Sequence, residues 1–361
     1  MKTDILIVGA GLAGLALADL LEQQGRDWML VEALDRPGGR ILSPELAGAN
    51  FDLGPAWFWP GQPRMEAATT RFGLTVFEQY SQGALLFQDQ SGEVQANRGY
   101  ASMQGSLRIS GGVGKLIEAY LKELPEERVL FHSPLVHVEE QSDGVVAKAG
   151  NQLIKARRIV LAVPPRVIAE SVTFSPDLPV AVGEALASIP TWMAGQAKIV
   201  AVYDRPYWRD AGYSGDAMSM RGPMVEIHDA SPAEGGPYGL FGFVGVAAST
   251  RAEHADQVLD YARQQLVALF GSEMANPKAL LMRDWAQEPR TATERDKAPL
   301  RFHPAYGLPA PLRGLWSGKV IFGSTETART FGGFLEGALE AAETVAGELA
   351  AAPADKLAAN S

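Results

Sequence analysis

The pattern of hydrophobic and polar positions is clearest near the start of the chain. Residues 5–8 form a continuous apolar run, which is typical of a parallel strand that is buried on both faces. A glycine-rich turn follows, and apolar residues then recur at helical spacing until Gly25, a residue type that commonly ends a helix. A second apolar run covers residues 28–31. The pattern therefore predicts a strand, a helix and a second strand.

The turn after the first strand has the glycine spacing of a dinucleotide-binding fingerprint. Gly9 permits the tight turn, Gly11 lets the backbone approach a pyrophosphate, and Gly14 allows the helix to pack closely on the strand. The helix then begins at Leu12 and Ala13, where free N–H groups suit phosphate charge. We expect all five residues to contact a dinucleotide.

The second strand ends at Glu32, which lies 23 positions after Gly9. The fingerprint calls for an acidic residue at a spacing of about 20. A carboxylate there accepts hydrogen bonds from ribose hydroxyls and repels a 2′-phosphate, so a ribose without that phosphate is favoured. The next segment, Gly38-Gly39-Arg40, combines close backbone approach with a fixed cation, and a nicotinamide dehydrogenase has no need of it.

A second glycine-rich region lies near the C-terminus. Residues 320–322 predict another buried strand, and the sequence G-S-T-E-T-A follows from Gly323, with Glu326 inside it. After a glycine pair, Phe334 and Leu335 lie where an apolar face begins to recur at helical spacing. We expect these two residues to form the turn at the start of a helix.

Together these segments resemble the flavin monoamine oxidase family. The family carries G-T-E-T-A and G-Y-M-E-G-A where this chain has G-S-T-E-T-A at 323–328 and G-F-L-E-G-A at 333–338. The resemblance implies an α/β fold, with a two-dinucleotide-binding-domain, Rossmann-like FAD-binding domain and a small mixed-sheet α+β substrate domain. It also implies oxidation of an amine by hydride transfer to flavin N5, with dioxygen or another acceptor taking the electrons.

The resemblance extends the expected cofactor contacts to two further segments. One is similar to the family's D-L-G-G-S-Y stretch beside the flavin, and the other to the strand whose backbone holds the adenine; the matching positions are Gly54, Pro55, Ala56 and Leu135. The backbone of Leu335 is expected at the pyrimidine edge of the flavin. There the partial positive charge of a helix N-terminus suits the anion that reduced flavin becomes.

Lys198 is the residue we single out for chemistry. It lies in an apolar strand, where a cation is costly unless it has a partner or a lowered pKa. By resemblance it holds a water near flavin N5, assisting reoxidation or ordering the site. Trp285 matches a family tryptophan near the dimethylbenzene side of the flavin. Phe334 stands at the position of one tyrosine of the family's amine-binding pair, and Trp57 is expected to line the pocket.

Composition excludes several other classes of protein. With 361 residues, 47% hydrophobic and 20% charged, the chain is expected to be globular with about two domains, and its net charge of −10 argues against a nucleic-acid partner. Cysteine is absent, so FAD is predicted to bind non-covalently. The five histidines show no metal-ligand spacing, so no metal is predicted. No apolar stretch reaches 18 residues, so we expect no membrane contact and a cytoplasmic location.

The chain is short for this family, and the substrate domain is therefore expected to be abbreviated. The predicted FAD-binding domain comprises residues 1–66, 104–190 and 310–353, the substrate domain comprises 67–103 and 191–309, and 354–361 form a flexible tail. Two other functions stay open. One is a renalase-like oxidation of a dihydronicotinamide, or a C–C desaturase, on the same fold, and the other is a FAD-bound module without turnover.

Overall fold

The computed structural model describes residues 1–298, 300 and 302–351, and the chain divides into two compact units. Unit 1 comprises Met1–Pro37, Tyr120–Ile189 and the described part of Ala305–Ser361; unit 2 comprises Gly38–Ala119 and Pro190–Pro304. Residues 38–66 and 104–119, which we assigned to the FAD-binding domain, thus group with unit 2. The predicted tail at 354–361 lies outside the described residues.

Unit 1, in its described part, is built on an eight-stranded sheet with a parallel centre. With strands numbered along the whole chain, its members are β1 (Lys2–Val8), β2 (Trp28–Val31), β9 (Val129–Leu130), β10 (Leu135–Gln141), β11 (Gly144–Ala149), β12 (Gln152–Leu161), β13 (Thr173–Ser175) and β19 (Val320–Phe322). The order is β13-β10-β11-β12-β1-β2-β9, and β19 also pairs with β12. Because β19, β12, β1, β2 and β9 run parallel, their carboxyl ends meet at one edge.

The helices of unit 1 explain why its central strands are apolar at every position. They are α1 (Leu12–Gln23), α4 (Pro165–Ser171), α5 (Val180–Ser188) and α9 (Leu335–Ala351). Leu6 of β1 packs in one core with Leu186 of α5, while Ile5 and Ile7, equally buried, project to the opposite face by strand alternation. A strand covered on both faces needs no polar side, which accounts for the continuous apolar run.

Unit 2, in its described part, contains a seven-stranded sheet. Its strands are β6 (Ala84–Gln88), β7 (Val94–Ala96), β14 (Ala197–Tyr203), β15 (Tyr213–Ser219), β16 (Met224–Asp229), β17 (Tyr238–Val244) and β18 (Ala279–Asp284). Their order in the sheet is β18-β14-β17-β16-β15-β6-β7. All neighbours pair antiparallel except β15 with β6, so the sheet is mixed.

Two short ribbons and several helices complete unit 2. The ribbons pair β3 (Glu45–Leu46) with β4 (Ala49–Asn50) and β5 (Val76–Glu78) with β8 (Leu107–Ile109). The helices are α2 (Pro63–Arg71), α3 (Gly114–Lys122, which begins in this unit), α6 (Tyr207–Asp210), α7 (Ala248–Glu253) and α8 (Ala255–Phe270).

Strand β14 lies inside the sheet of unit 2, between β18 and β17, and is buried throughout. Its odd-numbered residues, such as Ile199, pack in one core with Leu266 of α8. Its even-numbered residues face the other way, where Val200 packs with Phe51 in a second core. Lys198 shares this second face by alternation, which places a cation in an apolar layer.

The core of unit 1 generates a stability prediction. Leu6→Ala should lower the free energy of unfolding by about 2–5 kcal/mol, because it removes buried methyl groups and leaves a cavity. Leu153→Ala is the matched control in the same sheet, since Leu153 is 62% exposed, and should change stability by less than about 0.5 kcal/mol. Urea unfolding followed by circular dichroism measures both, and equal effects would contradict the described core.

Candidate functional site

The glycine fingerprint of unit 1 lies at the carboxyl end of β1. Gly9 has a φ of +103°, and a Cβ at Gly14 would overlap the carbonyl oxygen of Gly9, so α1 packs directly on the turn. A Cβ at Gly11 would face open space, with no atom within 4 Å apart from its chain neighbours. Among the described residues no side chain caps α1, which leaves the N–H groups of Leu12 and Ala13 available. Open space beside an uncapped helix start fits the pyrophosphate of FAD.

Glu32 follows the carboxyl end of β2 and is held by the backbone. Its Oε2 accepts from the N–H of Ala10 (2.7 Å) and its Oε1 from the N–H of Leu34 (2.9 Å). A carboxylate has about four acceptor sites, so the fixed group can still accept from ribose hydroxyls. The N–H of Ser133 donates to the backbone oxygen of Glu32 (2.7 Å), two residues before Leu135 opens β10. The two predicted adenosine contacts therefore lie at the same edge of the sheet.

The C-terminal segments of unit 1 are joined by one threonine. Gly323 follows β19, and its N–H donates to the backbone oxygen of Leu161 (3.0 Å). Thr325 Oγ1 donates to the backbone oxygen of Phe334 (2.9 Å) and accepts from the N–H of Gly333 (3.0 Å). The predicted segments at 323–326 and 333–335 are thus in direct contact. Glu326 is fully buried within the first of them.

The start of α9 matches the predicted helix and adds a residue that the sequence reasoning missed. Leu335 is its first residue, and Phe334 lies half-buried just before it. Glu340, one turn into the helix, accepts hydrogen bonds from three consecutive backbone N–H groups, those of Arg329, Thr330 and Phe331. Glu340 lies opposite the apolar stripe that begins at Leu335, so the hydrophobic pattern did not distinguish it from an exposed carboxylate.

In unit 2 the predicted flavin segments 38–40 and 54–56 touch each other. Gly38 and Gly39 both have positive φ, and the N–H of Ile41 closes the turn on the backbone oxygen of Gly38 (2.9 Å). A Cβ at Gly54 would overlap the carbonyl oxygen of Arg40. Only glycine therefore fits at position 54, directly before Pro55 and Ala56.

Lys198 makes the central contacts of unit 2. The side chain is buried, and its Nζ donates to the backbone oxygens of Asp52 (3.1 Å) and Gly54 (2.7 Å). Burial lowers the pKa of Lys198 to about 7, an effect that Asp52 opposes and Arg108 reinforces. The Nζ also lies close to three ring centroids, those of Phe241 (4.0 Å), Phe243 (5.6 Å) and Trp57 (5.7 Å).

The two carbonyls suit either protonation state of Lys198. A neutral amine has two N–H donors, which match the two oxygens, and keeps one lone pair; the ammonium form has a third N–H instead. Near neutral pH both forms are populated, because the pKa is about 7. The Nζ can therefore exchange one proton while both carbonyl hydrogen bonds are kept.

Asp52 is a second buried ionisable group beside Lys198. Its Oδ1 accepts from the hydroxyl of Ser43 (2.5 Å) and the N–H of Val113 (2.9 Å). Its Oδ2 is buried and has no hydrogen-bond partner among the described residues. Burial raises the pKa of Asp52, although the hydrogen bond from Ser43 and the nearby cations oppose this effect.

The two predicted tryptophans are also held in unit 2. The indole N–H of Trp285 donates to the backbone oxygen of Leu53 (2.8 Å). Together with Lys198, it therefore bonds the carbonyls of three consecutive residues, 52–54. The indole N–H of Trp57 donates to Gln79 Oε1 (2.8 Å), and Gln79 in turn donates to the backbone oxygen of Asp229 (2.8 Å).

The structure thus brings Lys198, Trp57, Trp285 and residues 54–56 together, and it places Phe334 in unit 1. Sequence reasoning missed Gln79, because this partner of Trp57 lies 22 residues further along the chain. Within the described residues no cluster of histidines and acidic side chains could hold a metal ion. None of the helices that the structure describes is long and apolar enough to span a membrane.

Fold and site define a nucleotide-binding oxidoreductase, and comparison with known proteins gives its family. The chain belongs to the flavin containing amine oxidoreductases, whose family model matches residues 77–350, and an NAD(P)-binding Rossmann-like domain model matches residues 7–72. The predicted family, the α/β fold class and the FAD cofactor are confirmed.

Individual proteins that are similar to this chain in sequence or in structure are also amine oxidases. The flavin-containing amine oxidase B of Sus scrofa is 24% identical, over 96% of this chain and 86% of its own. A putrescine oxidase structure aligns with a TM-score of 0.82 at 19% identity, covering 98% of this chain and all of its own. The cyclohexylamine oxidase of Brevibacterium oxydans aligns with a TM-score of 0.79 at 20% identity, covering 97% and 100%. At these identities the structural matches show a shared fold.

The fingerprint yields a cofactor-binding prediction. Gly14→Ala should weaken FAD binding by about tenfold or more, because the added methyl group forces α1 away from the turn at Gly9. The control is Gly183→Ala in α5 of the same unit, where a Cβ meets open space. It should leave FAD affinity unchanged and can add up to about 1 kcal/mol of stability. Fluorescence titration of the two apoproteins with FAD measures both affinities. Equal affinities would refute the assignment of the turn from Gly9 to Gly14 to FAD binding.

Proposed function

We propose that this flavin-containing amine oxidoreductase oxidises a small amine with an apolar substituent to an imine and passes the electrons to dioxygen. The observation that carries the proposal is the position of Lys198, whose Nζ is tied to the backbone at residues 52 and 54 and faces the rings of Trp57, Phe241 and Phe243. The chemistry that FAD supplies when bound is acceptance of a hydride from the α-carbon of the amine.

Each unit contributes residues suited to the cofactor. In unit 1 the turn from Gly9 to Gly14 and the carboxylate of Glu32 would hold the pyrophosphate and the ribose, and the segments at 323–326 and 333–335 would meet the flavin end. Unit 2, taken by itself, carries the turn at 38–40 and the adjoining residues 54–56, which the sequence resemblance assigns to the flavin. The fit rests on the uncapped start of α1 and on the open space at Gly11.

The chemical role we give to Lys198 is to hold or release a proton at Nζ. In its neutral form the lone pair can accept a hydrogen bond from a water molecule, while both N–H groups stay on the backbone carbonyls. We assign this water to the step in which electrons leave for dioxygen. Trp285 has a supporting role, because its indole N–H fixes the carbonyl between the two that Lys198 holds.

The aromatic cluster, defined as Trp57, Phe241 and Phe243, supports the substrate class. Trp57 and Phe243 are only half-buried, so an apolar group can pack on them, whereas Phe241 is buried beneath. Aromatic faces also stabilise cationic or partly charged nitrogen. The related enzymes are named for putrescine and cyclohexylamine, both amines with an apolar carbon skeleton. A cytoplasmic location and the lack of a nucleic-acid partner stay predictions from the sequence.

Anaerobic reduction of the flavin tests the reaction. Mixing the holoprotein with a panel of aliphatic and aryl-alkyl amines should abolish the oxidised flavin absorbance with at least one of them. Readmitting air should restore it and produce hydrogen peroxide equal to the amine consumed. Dihydronicotinamides form the comparison arm. Reduction by dihydronicotinamides and by no amine would establish the renalase-like alternative, whereas reduction by neither would leave the C–C desaturase and the module without turnover.

The pH dependence tests the role of Lys198. If neutral Nζ is the working form, the rate of reoxidation by dioxygen should rise as pH increases through about 7, the pKa of Lys198. Lys198→Met removes both donors and the ionisation, whereas Lys198→Arg keeps donors and stays charged, so both variants should lose this dependence. Lys278→Met is the control, because Lys278 is an exposed lysine of the same unit. A dependence retained in the arginine variant would refute the role.

A further inference from the structure

A buried histidine beside Trp57 is bonded to a carboxylate through each ring nitrogen. His228 lies on β16 and is 1% exposed. Its Nδ1 lies 2.8 Å from Asp216 Oδ1 on β15, and its Nε2 lies 2.9 Å from Glu226 Oε1 on its own strand. The hydroxyl of Ser102 also donates to Glu226 Oε1 (2.6 Å). We call Asp216, His228 and Glu226 the histidine network.

This geometry determines how many protons the histidine network holds. A neutral imidazole has one donor and one acceptor nitrogen, so it cannot donate to two ionised carboxylates. The network must therefore hold one further proton, which leaves a net charge of −1. Burial alone would lower the pKa of His228, but the hydrogen bonds and charges of Asp216 and Glu226 outweigh it and raise that pKa. Hydrogen bonds from His228 and Ser102 likewise overcome burial and lower the pKa of Glu226.

The ring of His228 packs against the aromatic cluster. Its centroid lies 5.1 Å from that of Trp57 with the planes at 83°, and 5.5 Å from that of Phe241. The planes are nearly perpendicular and the centroids lie within about 6 Å, a range in which a cation interacts with an aromatic ring more strongly than a neutral group does. On the same side, Lys198 is another ionisable group close to Trp57, with its Nζ 5.7 Å from the ring.

We propose that His228, bonded through both ring nitrogens to Asp216 and Glu226, is a positioning residue that holds the indole of Trp57 in the orientation required for amine binding. Gln79 binds the N–H end of that indole and the ring of His228 packs against it, so the two together restrict its orientation. The role in amine binding rests on the function proposed above. It requires His228 to stay charged across the pH range in which the enzyme works.

The first experiment observes the ring directly. In holoprotein labelled with ¹⁵N-histidine, one of the five imidazoles should stay protonated on both nitrogens at pH 8.5, when free histidine is neutral. That signal should be absent from His228→Gln and should titrate at lower pH in Glu226→Gln. In Trp57→Leu the carbon-bound protons of the His228 ring should lose the ring-current shift that the indole causes. Five neutral imidazoles at pH 8.5, or a signal unaffected by Trp57→Leu, would overturn the proposal.

The second experiment measures amine binding. In Glu226→Gln the KM for the amine should rise about three- to tenfold between pH 7 and 9 relative to the control, with kcat changed much less, because the loss of the cation weakens the hold on Trp57. The control is Glu234→Gln, which removes the same charge from an exposed position in the same unit. An identical dependence of KM on pH in Glu226→Gln and Glu234→Gln would overturn the positioning role of His228. If no amine reduces the flavin, the proposed function fails. The ¹⁵N experiment still shows whether the histidine network holds a ring that is protonated on both nitrogens.

Discussion

The interaction on which unit 2 depends is the hydrogen bonding of Lys198 to two backbone carbonyls. A lysine on the apolar face of a buried strand is destabilising unless its donors are satisfied, and here the loop at 52–54 supplies the acceptors. The same bonds hold that loop against the sheet, with Trp285 bonding the carbonyl between them. Residues 54–57 thereby acquire a fixed position next to the aromatic cluster. One buried lysine thus organises the loop, the rings and the electrostatics of this region.

The dinucleotide-binding part could be predicted from the sequence because its determinants are local. Gly9, Gly11, Gly14 and Glu32 lie within one strand-helix-strand unit, and their spacing reflects backbone geometry that short segments carry by themselves. The start of α9 at Leu335 was predictable for the same reason. Lys198 was recognisable as a charge in an apolar strand, which is a local conflict that calls for a partner.

The partners themselves could not be predicted, because they depend on pairings between distant segments. Lys198 meets a carbonyl 144 residues earlier in the chain, and His228 meets Asp216 on a neighbouring strand. Glu226 lies two residues before His228 on the same strand, but neither the carbonyls bound by Lys198 nor Asp216 is specified by the sequence near these residues. The division of the chain differs for a similar reason: residues 38–66 are similar to a cofactor-binding segment, yet most of their packing lies within unit 2.

The position of β19 has a consequence for how the protein is made. The sheet of unit 1 joins β1 (Lys2–Val8) to β19 (Val320–Phe322) through β12, so its parallel centre stays incomplete until residues 320–322 have been synthesised. At about 5–20 residues per second, roughly 10–30 s pass between the synthesis of β12 and that of β19. During that time the exposed edge of β12 can pair with other chains, and pairing across such a sequence distance slows folding.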